Sequence, residues 1–346
     1  MSPYANTIII TSLIMGPLLT ISSNHWILAW AGLEISTLAI IPLIAKQHHP
    51  RAIEAATKYF LTQATASTLI LLSSITNAWT LGQWSITQMS NNISCTILTT
   101  ALAIKLGLAP FHFWLPEVLQ GATTTTALIL TTWQKLAPVS LLNNNCPILK
   151  HTININAGLM STMHWGMKRA QPNPTTKNHS ILLHRPPGWM ITILTLSPKL
   201  TLLTFYTYII MTSTMFLMIK LLKTTKISTM MTSWTKLPTL NTMMMLTLMS
   251  LAGLPPLTGF MPKWLIIQEL TKQHMPIIAT MMALLSLLNL FFYLRISYYS
   301  TITLPPNSTN YMQQWRHKTN QKHYLALMTT LATSLLPMTP TLLTSI

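Results

Sequence analysis

The chain has 346 residues; half are hydrophobic and only 7% are charged, against about 25% in a soluble domain. With a mean hydropathy of +0.43 and apolar runs along its whole length, the composition excludes a soluble globular protein. It predicts an all-α, polytopic transmembrane helix bundle of about 10–11 spans at roughly 20 residues per span. A net charge of +17, from 21 Lys and Arg against four acids, raises nucleic acid as a partner. However, the basic residues are spread through loops, with no basic domain and no aromatic platform, so that partner is excluded. Lys46, Arg51 and Lys58 form one group and Lys220, Lys223 and Lys226 another, as expected for loops on the untranslocated side of a membrane. The phospholipid bilayer is the expected surrounding, with anionic lipid such as cardiolipin near these groups.

In chain order, the predicted spans are 4–22, 26–45, 56–80, 95–114, 122–142, 200–222, 240–260, 276–298 and 324–345. Together they make one membrane domain over 1–346, with 143–199 anomalous. The N-terminus has no basic n-region and no Arg-rich presequence, so its first apolar run is expected to remain as a span. Trp26, Trp30, Trp79, Trp84, Trp133 and Trp264 lie mostly near span ends and are assigned to interfacial anchoring. Cys95 and Cys146 have neither metal spacing nor a disulfide framework.

The second span contains Glu34, one of only four acidic side chains. A carboxylate at a bilayer centre costs about 2.5 kcal/mol or more, so it marks a functional position. Two later segments are interrupted. One runs Lys105-Leu-Gly-Leu-Ala-Pro110-Phe-His112-Phe-Trp-Leu-Pro116-Glu117. The other runs Leu251-Ala-Gly-Leu-Pro255-Pro256-Leu-Thr-Gly259-Phe-Met-Pro262-Lys263. Proline removes a backbone donor and clashes with the preceding turn. Such backbone survives at membrane depth only inside protein or beside a hydrated cavity, and broken helices often hold the ion site of a transporter. Two discontinuous helices are therefore expected, each with a lysine beside its break.

Glu34 and Lys105 lie about two spans apart and are expected to pair across the bundle. Lys135 and Lys263 extend the set, because lysine shifts its protonation readily on burial and can relay a proton. The competing reading is that Lys135 and Lys263 snorkel to the interface. Glu54 and Lys58 have helix i,i+4 spacing, which usually means a surface pair. His112 offers a titratable group beside the first break, or a hydrogen-bonded helix-end residue. Glu117 reads as interfacial, and Glu269 with Lys272 as a helix-end pair. No nucleotide loop, nucleophile elbow, HExxH or CxxC pair is present.

Several segments carry a specific likeness: Ser23-Asn-His-Trp26, Gly32-Leu-Glu34, Glu54-Ala-Ala-Thr-Lys58-Tyr-Phe-Leu-Thr-Gln-Ala, Lys105 to Glu117, and Gly253 to Trp264. On these the chain resembles the mitochondrially encoded, antiporter-like chain 2 family of respiratory complex I, in a bird-like vertebrate version. The bias toward Leu, Thr, Ile and Met, with Val nearly absent, resembles an animal mitochondrial gene product. The resemblance implies an antiporter-like bundle in the mitochondrial inner membrane. It implies proton translocation coupled to electron transfer from NADH to ubiquinone, with Glu34, Lys105, Lys135 and Lys263 as proton-pathway residues. No cofactor or metal is expected in this chain. NADH, FMN, iron–sulfur clusters and ubiquinone would bind other subunits, and the other membrane subunits of the complex would be its partners. The alternatives are a stand-alone cation/proton antiporter and a structural spacer.

The likeness fails over 164–187, which is polar, basic and rich in proline and does not read as a span. Plausible mitochondrial codons for His164 to Ser180, read one base later, can spell the family's expected segment, so 164–187 reads as out of frame, with the frame recovered near Gly188; a real divergent loop is the alternative. Asn143 to Pro147 reads as a shorter slip of the same kind.

Overall fold

In a computed structural model, the structure describes residues 2–145, 151–170, 188–222, 233–235, 237–302 and 323–345. Cys146, Lys223, Lys226 and most of the 164–187 segment lie outside the described residues.

The helices in chain order are α1 (Pro3–Ser22), α2 (Trp26–Ile44), α3 (Pro50–Leu81), α4 (Asn92–Leu106), α5 (Trp114–Gly121), α6 (Thr124–Thr131) and α7 (Leu136–Asn144). They continue as α8 (His151–Ala170), α9 (Gly188–Leu194), α10 (Pro198–Leu222), α11 (Pro238–Ala252), α12 (Phe260–Lys272), α13 (Pro276–Ile302), α14 (His323–Ser334) and α15 (Thr339–Ser345). Short 3-10 turns punctuate them, notably Trp133–Lys135 between α6 and α7. Among the described residues, α1, α2, α10 and the Pro276–Tyr298 part of α13 are each long and apolar enough to cross a membrane. The bent pair Tyr324–Ser334 and Leu336–Thr344 makes a fifth candidate.

The described chain forms two compact units, Met1–Ser161 with Pro186–Pro198, and Thr162–Arg185 with Lys199–Ile346. The first unit rests on α1 crossing α2 through glycines. A Cβ at Gly16 would lie 2.6 Å from Ser36 Cβ, and one at Gly32 would lie 2.7 Å from the Gly16 carbonyl oxygen. Small residues let backbones approach where burial from water supplies no drive between helices. α5 meets α3 in the same way, because a Cβ on Gly121 would strike the Arg51 carbonyl and Ala55. In the second unit, the Thr258 hydroxyl on the loop between α11 and α12 donates to the Ala332 carbonyl of α14 at 2.5 Å.

The many threonines do not conflict with apolar helices. Their hydroxyls bond back to carbonyls three or four residues earlier, as at Thr20 to Pro17 (2.8 Å) and Thr214 to Met211 (2.8 Å). The hydroxyl is thus satisfied inside its own helix.

Three expectations are corrected. The predicted span 122–142 is not continuous: α6 ends at Thr131 and the helix resumes at Leu136. Pro138 is the cause, because its ring clashes with the carbonyl four residues earlier, at Gln134, and it has no N–H to donate there. The two expected discontinuous helices are therefore joined by a third interruption, at Lys135. Next, the polar stretch from His164 begins as helix: α8 continues to Ala170 with Trp165 fully buried. The first proline of that stretch is Pro172, and Met, Lys, Arg and Ala before it are good helix formers. Finally, not all of the tryptophans are interfacial anchors. Trp79 is 88% exposed, but Trp26 is fully buried.

Gly32→Leu should force α1 away from α2 and cost on the order of 1–3 kcal/mol, as overpacking does. A lower midpoint for heat dissociation of the assembled protein would register it.

Candidate functional site

Both expected breaks have the same construction. α4 ends at Leu106, and Gly107 takes φ +71°. Its N–H reaches the Ala103 and Ile104 carbonyls, and Leu108 N–H returns to Ala103. α11 ends at Ala252, and Gly253 takes φ +83° with its N–H on the Met249 and Ser250 carbonyls, while Leu254 N–H returns to Met249. This left-handed glycine cap closes the orphan carbonyls of a last turn. The Trp114 indole adds a bond to the Ile104 carbonyl at 3.1 Å. Lys105 thus sits in the last turn of α4, where cations complement the negative end of the helix dipole.

The third lysine site is tied down from other helices. Pro17 inside α1 frees the carbonyl four residues earlier, on Leu13, and the Trp133 indole donates to that carbonyl at 2.7 Å. The neighbouring Gln134 amide donates to the Ser36 carbonyl of α2 at 3.2 Å. Two side chains therefore pin the Trp133–Lys135 turn to α1 and α2. Trp133, expected as an interfacial anchor, instead holds Lys135 in place.

These constraints bring Lys105 and Lys135 to one cavity. It holds about 20 Å³ and is lined among others by Ser36, Thr37, Gln63, Lys105, Gln134 and Lys135. That is room for about one water. Lys105 is 7% and Lys135 2% exposed, so neither snorkels. The Lys105 ammonium and the Gln63 amide nitrogen are buried without hydrogen-bond partners. Tyr59 closes one wall, itself buried and packed against Trp114 with ring centroids 5.8 Å apart.

Glu34 is not among the residues that line this cavity, although Leu33 and Ser36 on the same helix are. It is half-buried on α2, one carboxylate oxygen is buried without a hydrogen-bond partner, and its charge acts on both Lys105 and Tyr59. The direct Glu34–Lys105 pair expected from sequence is not formed. The ion pairs among the described residues join Lys58 to Glu54 and Glu117, and Lys272 to Glu269. Lys105 instead lines the small cavity, its ammonium buried without a hydrogen-bond partner.

In the second unit, Lys263 lies in the first turn of α12 and is 9% exposed. Its ammonium donates to the carbonyl of Ala252, the last residue of α11. Its aliphatic chain passes over Gly253, where any Cβ would fall 2.5–2.9 Å from Lys263 atoms. That lysine therefore answers an orphan carbonyl of the helix end it follows.

The secondary candidates separate. Lys58 meets Glu54 at 2.5 Å and Glu117 of α5 at 2.6 Å. Glu117, expected as an interfacial helix-end residue, is the second carboxylate of an exposed cluster. The reason is the close α3–α5 approach at Gly121, which chain separation conceals. Lys272 and Glu269 pair at 2.9 Å as expected. His112 is fully buried in the first break, with its ring 4.3 Å from that of Phe113. Sequence reasoning missed Gln63, Gln134, Ser36 and Thr37. Gln63 carried a signal, as one of two amides, with Asn77, inside the 56–80 apolar run. Gln134 carried one too, beside Lys135. Among the described residues no group of three or more His, Cys, Asp and Glu side chains converges on a metal position.

Gly253→Ala should displace Lys263 and lower stability by more than Gly82→Ala. Both glycines have positive φ, but a Cβ at Gly82 meets nothing within 4 Å. Gly82→Ala carries only the left-handed backbone cost of about 1–2 kcal/mol. Heat dissociation of the two variants side by side measures the difference.

The family model for the transmembrane part of NADH:quinone oxidoreductase and Mrp antiporters matches residues 23–168 and 187–289. The stretch 169–186, within the segment that reads as out of frame, is left outside that match. The model for the C-terminus of NADH dehydrogenase subunit 2 matches 290–343. NADH-ubiquinone oxidoreductase chain 2 of Gallus gallus is 57% identical over 344 residues, covering 99% of both chains. The protein of the same name from Struthio camelus is 56% identical over 346 residues and the full length of both. Among solved structures, a chain of respiratory complex I from Thermus thermophilus superposes with a TM-score of 0.85 at 20% identity, covering 99% of this chain and 80% of that one. A chain of the Mrp complex from Dietzia superposes at 0.79 and 14% identity, covering 97% and 75%. These two likenesses carry the fold alone. The family models and the full-length relatives go further: the chain belongs to the NADH-ubiquinone oxidoreductase chain 2 family.

Proposed function

We propose that the chain is a proton-translocating membrane subunit of mitochondrial NADH:ubiquinone oxidoreductase, working in the inner membrane beside the other membrane subunits. The observation that carries this reading is the cavity shared by Lys105 and Lys135 beside two helix breaks, with room for one water between walls that mix polar and apolar side chains. Buried ionisable groups that face a bundle interior mark proton relays. A lysine amine exchanges a proton with a water at hydrogen-bond distance, and the same water reaches a second amine. Redox chemistry belongs to other subunits, where NADH, FMN, iron–sulfur clusters and ubiquinone would bind. Anionic lipid, cardiolipin included, would gather at Lys46 and Arg51, since Lys58 already has two carboxylates.

Glu34 supplies the control. A unit charge at about 4 Å is worth roughly 4 kcal/mol at an effective dielectric of 20. Closing or opening the gap between Glu34 and Lys105 therefore changes the field on that ammonium by a chemically useful amount. Conformational change elsewhere in the complex would drive this motion. Lys263 would be a second proton-bearing amine, held at the end of α11.

The test uses the assembled complex reconstituted in vesicles, with proton uptake read against NADH oxidation. Lys105→Met should lower protons moved per electron and slow the path on the order of 10²-fold, the range for loss of a proton-transfer group. Lys105→Arg should fail equally, because guanidinium keeps the charge but does not release the proton. Glu34→Gln should lower the same ratio. A structural spacer predicts that Lys105→Arg pumps normally. A stand-alone antiporter predicts that the chain purifies apart from any NADH-oxidising assembly.

A further inference from the structure

The break after α11 is held from three sides, all within the second unit. Lys263 donates to the Ala252 carbonyl. Gly259, at the entry to α12, lies against α11, where a Cβ would overlap the Ser250 carbonyl. The third hold comes from the C-terminal part of the chain. The Thr258 hydroxyl donates to the Ala332 carbonyl at 2.5 Å, and both residues are buried.

This bond differs from those of the helical threonines. Thr20 and Thr214 return their hydroxyls to carbonyls of their own helices, whereas the Thr258 bond crosses 74 positions. Its acceptor lies in the last turn of α14, where carbonyls lack a partner within the helix. Just beyond it the chain bends by 70°, between Tyr324–Ser334 and Leu336–Thr344. α14 also packs against α11. Without the hydroxyl, the loop loses its tie to α14 and a buried carbonyl loses its donor, which is costlier than losing the same bond in water. Lys263 stands one helical turn beyond Gly259, so the place of the loop at Thr258 sets where the lysine side chain starts.

We propose that Thr258 is a positioning residue for Lys263: its bond to α14 holds the second break in the place from which the Lys263 ammonium reaches the Ala252 carbonyl. The C-terminal helix is thereby a strap on the break, and a shift of α14 passes to Lys263 through one hydroxyl. This rests on the reading of Lys263 as a proton-bearing amine.

The experiment uses the assembled complex in vesicles, with proton uptake read against NADH oxidation. Thr258→Val keeps the shape and removes the donor. It should lower protons moved per electron by a drop comparable to that of Lys263→Met. Thr258→Ser keeps the hydroxyl and should hold the ratio near its original value. Thr214→Val removes a buried hydroxyl bonded within α10 and should leave the ratio unchanged. A loss of stability alone would reduce the amount of assembled complex and not the ratio. Amide hydrogen exchange over 254–263 should rise several-fold in Thr258→Val and not in Thr258→Ser. If Thr258→Val does not assemble, Thr258→Ala carries the same test. A normal ratio or unchanged exchange in Thr258→Val, while Lys263→Met lowers the ratio, overturns this inference alone. So does a ratio in Thr258→Ser or Thr214→Val as low as that in Thr258→Val. A normal ratio in Lys263→Met overturns the proton role of Lys263, and this inference with it.

Discussion

In a bilayer every backbone polar group must be satisfied within the protein, and the rest of this structure follows from how three helix breaks meet that demand. Gly107 and Gly253 turn their N–H groups back onto the last carbonyls of α4 and α11. Trp114 takes a further carbonyl of α4, and Lys263 one of α11. At the third break, Trp133 and Gln134 reach carbonyls of α1 and α2. The breaks are held by side-chain bonds between segments and by local caps, so they are fixed positions of the fold.

The same bonds position the charges. An ammonium near the last turn of a helix meets the negative end of its dipole, which offsets part of the cost of burial. Lys105 and Lys263 both sit at the end of such a helix or reach back to one. Lys135 sits where proline and tryptophan interrupt α6 and α7. At the second break the Ala252 carbonyl is answered by Lys263, and at the first the chain leaves room for a small cavity. In the first unit this joins Lys105 and Lys135 through one water-sized space. Glu34 stands close enough to act on Lys105 but makes no ion pair with it, so the charge is in place and the contact is open. In the second unit, Lys263 is clamped over Gly253, a position with no space for a side chain.

The segments that composition and hydropathy made legible were those with a local cause. The spans at 4–22, 26–45, 200–222 and 276–298 appear as α1, α2, α10 and α13. Two breaks announced themselves through Gly and Pro clusters, and Glu34 through its isolation among apolar neighbours. The break at Lys135 escaped notice because its cause is a single Pro138 without a glycine, and lone prolines often only kink a helix. Glu117 escaped because its partner, Lys58, lies on another helix, brought near by Gly121. Residues 164–170 looked unlike a span by polarity, yet their helix propensity carried α8 to Ala170.

Sequence alone determined that the chain is an all-helical membrane protein, which glutamate lies mid-span, and that lysines flank two broken helices. These follow from side-chain type and spacing, which act over a few residues. Only the tertiary structure decided that Lys105 and Lys135 share one cavity, that Gln63 and Gln134 line it, and that Glu34 stands off from Lys105. It also decided that Lys263 binds the end of α11. Those depend on contacts between residues from 11 to 120 positions apart, set by glycine-mediated helix crossings and freed carbonyls that no local pattern records.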